Sequence, residues 1–265
     1  MTPAELIGRF GEQQMLAFAL VLARIAPLFV FAPLFSSKTL PGRVRTFVAV
    51  ALAVGITPIA TRAAGDAAIP SDVVGLVILM VKELLVGMAF SFGLGALFAA
   101  LSAAGSLLDT LVGFSFGALV DPLTGTQSSI FSQLYAMVGV LVFIAIGGDG
   151  WVIQGLARTY EAVPLLEAPH IGSLVEGAQV AFSGLFTAAI QICAPVLLAL
   201  VITDAALGVV TKVVPQLNIF AVGFPAKVTV GLVVIGASLP FLAGWLDDEL
   251  QRSVASALHA LKVAG

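Results

Sequence analysis

Long uncharged runs alternate along this chain with short clusters of charge, glycine and proline, and the alternation predicts helices throughout. Thr2, Pro3 and Glu5 form a capping box with proline at the first helical position, and Leu6, Phe10 and Leu16 open an apolar face. The run 15–35 is interrupted by Arg24, Pro27 and Pro33, so a kink or break is expected there. Lys38, Arg43 and Arg45 surround Pro41-Gly42 in a basic turn, and a second run, 46–60, is closed by Pro58 and Arg62. Together the two runs predict a membrane hairpin.

Residues 63–72 read as a polar loop, and the next segment carries Lys82-Glu83 near its start. Residues 84–108 are 25 positions without a charge, enough to cross a hydrocarbon layer of about 30 Å. Residues 109–127 break the pattern with glycines, Asp109, Asp121 and Pro122. An apolar helix resumes over 128–146 and closes at Gly147-Gly148-Asp149-Gly150, which predicts a re-entrant loop between two helices. Residues 151–176 are expected to form a short helix and a water-facing loop. The 27 uncharged residues 177–203 contain Pro195 and would reach about 40 Å as a helix. Asp204, Lys212, Pro215, Phe224-Pro225 and Lys227 follow, then 19 uncharged residues, 228–246. The tail 247–265 places Leu250, Val254, Leu258 and Leu261 on one stripe, as in an interfacial or packing helix.

Composition sharpens this into a class. Of 265 residues, 60% are hydrophobic and 10% charged, too few charges to cover a soluble domain of this size, so the outer surface must face lipid or apolar protein. The fold class expected is all-α: membrane-embedded helical hairpins broken by Gly and Pro. A net charge of −3 provides no basic field, which excludes nucleic acid as a partner. A single cysteine, Cys193, permits no intrachain disulfide and no cysteine metal cluster, and His170 and His259 suggest no metal site. No cofactor is expected. The first 14 residues do not match a cleavable signal peptide.

Gly113-Phe114-Ser115-Phe116-Gly117 matches the G-x-S-x-G pattern of serine hydrolases, but no strand is expected before it and no histidine is brought near it. The same glycines fit small-residue helix packing, and no catalytic residue is assigned. Arg24, Lys82, Glu83, Asp109, Asp121 and Asp204 are costly charges in apolar runs. They mark either an ion pathway or local pairing, with Lys82-Glu83 at a kink or interface and Asp204 paired with Lys212 or a partner chain. Pro41-Gly42-Arg43-Val44 and Pro225-Ala226-Lys227-Val228 each open an apolar run closed by proline, a weak echo of duplication. Broken backbone at membrane depth is tolerated only inside protein or beside a water-filled cavity, so these segments point to a subunit packed on other subunits or around a pore.

Three stretches carry a family resemblance. They are Ala26-Pro27 through Pro41-Gly42-Arg43-Val44-Arg45 to Ile56-Thr57-Pro58; Gly113-Phe114-Ser115-Phe116 with Asp121-Pro122 and Gly147-Gly148; and Val214-Pro215-Gln216-Leu217-Asn218-Ile219-Phe220 followed by Gly223-Phe224-Pro225-Ala226-Lys227. In this order, over nearly the whole chain, they resemble the FliR family of flagellar biosynthetic proteins. The resemblance implies one export-gate domain over 1–265, in a helical assembly with FliP-like and FliQ-like subunits and an associated FlhB-like protein. Unfolded flagellar proteins would leave through that gate, in the bacterial inner membrane at the flagellar basal body. It also implies a pore plug at 109–127, with Asp109, Gly113, Phe114, Phe116, Gly117, Asp121 and Pro122 as its residues. A connecting turn packed against neighbouring helices is the alternative reading of that loop. Pro41, Arg43, Pro215, Gln216, Phe224, Pro225 and Lys227 are expected at turns or subunit contacts. The chain departs from the family where Asp149 follows the paired glycines and where Lys212 stands three residues ahead of Pro215. A virulence-injectisome homologue would share these motifs, while an autonomous transporter or an intramembrane enzyme would be of another class.

Overall fold

The computed structural model describes residues 3–32, 41–65, 68–114, 129–216 and 218–262. They form helices α1 (Pro3–Ile25), α2 (Leu28–Phe31), α3 (Gly42–Ala64), α4 (Val73–Val112), α5 (Ile130–Ala145), α6 (Gly148–Ala162), α7 (Ile171–Val213) and α8 (Ile219–Lys262), with no strand among the described residues. The all-α expectation holds. Among the described residues five segments are long and apolar enough to cross a membrane, or six if the interrupted pair α5 and α6 counts as one.

Length is the first surprise. Helices α4, α7 and α8 run for 40, 43 and 44 residues, which at 1.5 Å per residue is roughly 60 to 66 Å, twice the hydrocarbon layer. Several expected breaks are absent: Pro58 lies inside α3, and Pro225 and Pro240 lie inside α8, while Pro195 lies inside α7 as expected. Each removes one amide donor and so releases the carbonyl four residues back, yet the helix continues. Hydroxyls cluster at two of these sites. Thr57 donates to the Ala53 carbonyl at 2.6 Å beside Pro58, and Thr229 donates to the Pro225 carbonyl at 2.8 Å. Pro27 does break the chain as expected, ending α1 at Ile25 and starting α2 at Leu28.

Other boundaries move for similar reasons. Arg43 and Arg45, read as part of a turn, lie in the first turn of α3, whose N-cap is Pro41. The expected loop at 109 begins only after Val112, because Asp109 stays helical. The stretch 163–170 is not simply water-facing, since Val163 and Leu165 are buried, and α7 begins at Ile171 inside the segment read as loop. The tail 247–262 continues α8 as its last turns.

The chain divides into two compact units, each assembled from separate segments. Unit 1 comprises Met1–Ala96, Gly147–Phe182 and Leu250–Gly265. Its core joins Leu20, Val21 and Leu28 to Val86, Phe90, Leu156 and Leu261. Gly87 lets the backbones of α1 and α4 touch, for a Cβ there would lie 2.1 Å from the Arg24 carbonyl oxygen. Gln13 pairs with both backbone groups of Ile69, accepting its N–H at 2.8 Å and donating to its carbonyl at 3.2 Å. Unit 2 comprises Leu97–Ile146 and Ser183–Glu249. Here Phe98 meets Phe143 edge-on at 5.4 Å, and Gly105 admits the backbone of Phe131, whose carbonyl atoms a Cβ would approach to 2.5 Å.

Candidate functional site

The best-built polar feature of unit 2 lies at the end of α4, where the expected 109–127 loop was placed. Asp109 sits one turn before the end of α4 and is 3% exposed. Its carboxylate accepts the hydroxyl of Ser129 and the amide of Phe131, the latter at 3.2 Å. Ser129 is the N-cap of α5, and its oxygen accepts the Ser132 amide at 3.0 Å. A carboxylate thus meets unpaired amides at the positive end of α5, where negative charge is favoured. Gly113 closes α4 with φ +102, a backbone state that side chains resist. Phe114 then packs edge-on against Phe131 at 5.5 Å and Phe224 of α8 at 5.9 Å.

The structure therefore brings together Asp109, Gly113, Phe114 and Phe224, four of the residues singled out from sequence, around Ser129 and Phe131, which were not. Phe116, Gly117, Asp121 and Pro122 lie outside the described residues. Pro215 and Gln216 are exposed beyond the end of α7, and Pro41 and Arg43 are exposed at the start of α3 in unit 1. Phe224, Pro225 and Lys227, expected at a turn, are helical residues of α8. Lys227 pairs with Asp204 of α7 at 2.7 Å, so Asp204 takes Lys227 and not Lys212 as its partner.

Unit 1 holds a second polar centre. Arg24, in the last turn of α1, is fully buried, and Glu83 of α4 is 1% exposed. The guanidinium donates from Nε to Glu83 Oε2 at 2.5 Å and from Nη2 to Oε1 at 3.0 Å, a two-pronged pair. Nη2 also donates to the Val163 carbonyl at 2.9 Å, and Nη1 donates to Thr159 Oγ1 at 3.2 Å. The ring of Tyr160 lies under the guanidinium, 3.9 Å from Cζ to its centroid. Sequence marked both charges by their cost in apolar runs; it did not pair them, because 59 residues separate them. Among the described residues no group of three His, Cys, Asp or Glu side chains is placed to hold a metal ion.

The sequence model described as bacterial export proteins, family 1, matches residues 15–253. The chain belongs to this family. Among its relatives are the flagellar biosynthetic protein FliR of Bacillus subtilis, 32% identical over 83% of this chain and 84% of that protein, and FliR of Escherichia coli, 29% identical over 85% of each. The surface presentation of antigens protein SpaR of Salmonella typhimurium is 28% identical over 88% of this chain and 86% of that protein. This export protein is thus a FliR-family member, and that membership together with its long apolar helices makes it an inner-membrane protein.

Proposed function

We propose that this export protein is a structural subunit of the flagellar type III protein export gate, working at the basal body beside FliP-like, FliQ-like and FlhB-like membrane proteins. The observation that carries the reading is the mismatch between its helices and a bilayer. The uncharged stretch 177–203 of α7 alone would reach about 40 Å, and its apolar side chains Val180, Phe186, Ile190, Leu198 and Ile202 are exposed. Apolar surface that extends past the hydrocarbon layer needs protein to cover it, which suits a gate built from several subunits.

The loop base supports a plug in that gate. Asp109 fastens α4 to the start of α5, and Phe114 provides apolar bulk beside Phe131 and Phe224, the kind of constriction that excludes water from a narrow pore. Arg43 and Lys227 would then lie at subunit contacts and not against acyl tails, where a lone basic residue costs about 2.5 to 3.5 kcal/mol on insertion scales.

Removing the gene and restoring it tests the main reading. Deletion should abolish motility and the export of flagellar proteins, and the restored chain should come out of the membrane in a complex far larger than its own 27.1 kDa. The SpaR relatives favour a second reading, an injectisome gate, and retained motility with lost virulence-protein secretion would select it. A stable monomer or a symmetric oligomer of this chain alone would point to a small-molecule transporter. For the plug, shortening the loop across Gly113 to Leu119 should leave assembly intact while the membrane leaks ions. Normal export without added permeability would make the loop a connector.

A further inference from the structure

Pro58, Pro195, Pro225 and Pro240 lie inside helices among the described residues. Each is exposed, and so is the residue four places back, Val54, Gln191, Ala221 and Gly236 in turn, whose carbonyl the proline leaves without its helical amide. Polar side chains beside three of these prolines serve a different carbonyl. Thr57, Cys193 and Ser238 donate to the carbonyls of Ala53, Ile190 and Ile235, each five residues before its proline, at 2.6, 3.5 and 2.9 Å. The helical ladder already supplies those carbonyls with an amide, so the released ones gain nothing from these donors.

Two of the released carbonyls belong to one stretch of unit 2. Helices α7 and α8 run antiparallel there, since Trp245 donates to Gln191 Oε1 at 3.4 Å while Lys227 pairs with Asp204 at 2.7 Å. A Cβ built at Gly231 would stand 4.0 Å from the Leu200 side chain, so Pro195 on α7 and Pro240 on α8 fall within the same stretch of the pair. Helical carbonyls point toward the C-terminus, and those of Gln191 and Gly236 therefore point into that stretch from opposite ends. Nothing lies within 4 Å of a Cβ built at Gly236, which leaves its carbonyl open to approach. The side chains exposed around them, Ile190, Leu198, Val233 and Phe241, are apolar. Lipid would cover such side chains but offers a carbonyl no donor; water would serve the carbonyls and leave the apolar surface uncovered.

Resting on the gate reading above, we propose that this stretch of α7 and α8 docks an apolar helix of another gate subunit, and that hydroxyl or amide side chains on that helix donate to the carbonyls of Gln191 and Gly236. The apolar body of such a helix covers Leu198, Val233 and Phe241, while its donors meet the two acceptors that lipid would leave bare. Hydrogen bonds are directional where apolar packing is not, so the two prolines fix the level at which the partner seats.

Isotope labelling of a single peptide group tests this directly. Gln191-Ile192 is the one Gln–Ile pair in the sequence, so glutamine labelled at its backbone carbonyl carbon, together with isoleucine labelled at its nitrogen, selects the Gln191 carbonyl in solid-state NMR. The chain is measured alone in lipid vesicles and in the complex purified with its FliP-like and FliQ-like partners. In the complex the signal should move downfield, to the position of a hydrogen-bonded carbonyl, and receive magnetisation from partner protons and not from water. Pro195→Ala returns an amide to that carbonyl and should produce the downfield position in the chain alone. The same variant should cut recovery of the complex by roughly fivefold or more, because the partner's donor is left unmatched, while the level of the chain in the membrane is unchanged or higher. An unmoved signal in the complex, magnetisation arriving from water or only from acyl chains, or undiminished recovery of the Pro195→Ala complex overturns the proposal and leaves the gate reading intact. If no complex forms, the gate reading falls and the proposal falls with it.

Discussion

The Asp109 carboxylate, in the last turns of α4, accepts the Phe131 amide at the start of α5 across 22 residues of sequence. The end of α4 and the start of α5 are joined there by that bond, by the Ser129 hydroxyl and by the packing of Phe114 on Phe131. The two helix ends are therefore clamped together.

Asp109→Ala should release that clamp. It removes one charged acceptor from two donors, and buried bonds to a charged group contribute about 1.5 to 3 kcal/mol each. We expect a loss of about 2 kcal/mol in the stability of the purified protein, with Ser129→Ala costing about half as much. Thermal melting in detergent, with membrane abundance beside it, measures both. Equal and negligible effects would mean the clamp is incidental.

Arg24→Lys is not a mild change. An ammonium cannot reproduce the forked pair with Glu83 together with the bonds to Thr159 and Val163. Arg24→Ala goes further and leaves a buried carboxylate without its partner, at a cost of about 3 to 5 kcal/mol. Chain levels in the membrane should fall by more than tenfold for Arg24→Ala and by a smaller factor for Arg24→Lys. Quantitative blotting against a co-expressed standard would show whether the order is kept.

Glycines divide into two groups that a single substitution separates. Gly87→Ala and Gly105→Ala each drive a methyl into backbone atoms at 2.1 and 2.5 Å, so helices must part, at about 1 to 3 kcal/mol. Gly184→Ala, in α7 with nothing within 4 Å, should be neutral or raise stability by about 0.5 to 1 kcal/mol through helix propensity. Parallel melts of the three proteins would expose any failure of this ranking.

Gly113→Ala probes backbone conformation in place of contact. Its φ of +102 is a state in which L-residues are strained by about 1 to 3 kcal/mol. The substitution should weaken the α4 terminus and raise protease cleavage near residue 113 in membrane vesicles, while cleavage at 68–72, ahead of α4, stays as it was.

Helix identity was legible in the sequence because apolar runs of this length leave no other choice. Helix ends were not. Proline was read as the close of a run at 58 and as a turn at 225, since it forfeits a hydrogen bond and crowds the preceding turn. In an apolar environment ending the helix would orphan several backbone groups where proline orphans one, so the helix continues and nearby threonines bond to carbonyls of the adjoining turns. Asp109 was read as the start of a loop because it ended an uncharged run. It remains helical because the amide it satisfies belongs to another helix, a fact of tertiary structure that no local pattern carries. The pairing of Arg24 with Glu83 was hidden in the same way, although the cost of each charge already announced that a partner must exist.

That pairing also sets an order in time. Arg24 leaves the ribosome 59 residues before Glu83 and 139 residues before Val163, whose carbonyl completes its shell. At a synthesis rate of about 5 to 20 residues per second, the arginine waits roughly 3 to 12 s for its carboxylate and roughly 7 to 28 s for the last of its acceptors. During that interval α1 carries an unmatched cation at its end, so it must be sheltered by the insertion machinery or held at the water interface. A helix made well before its partners is thus seated only when the last of them arrives.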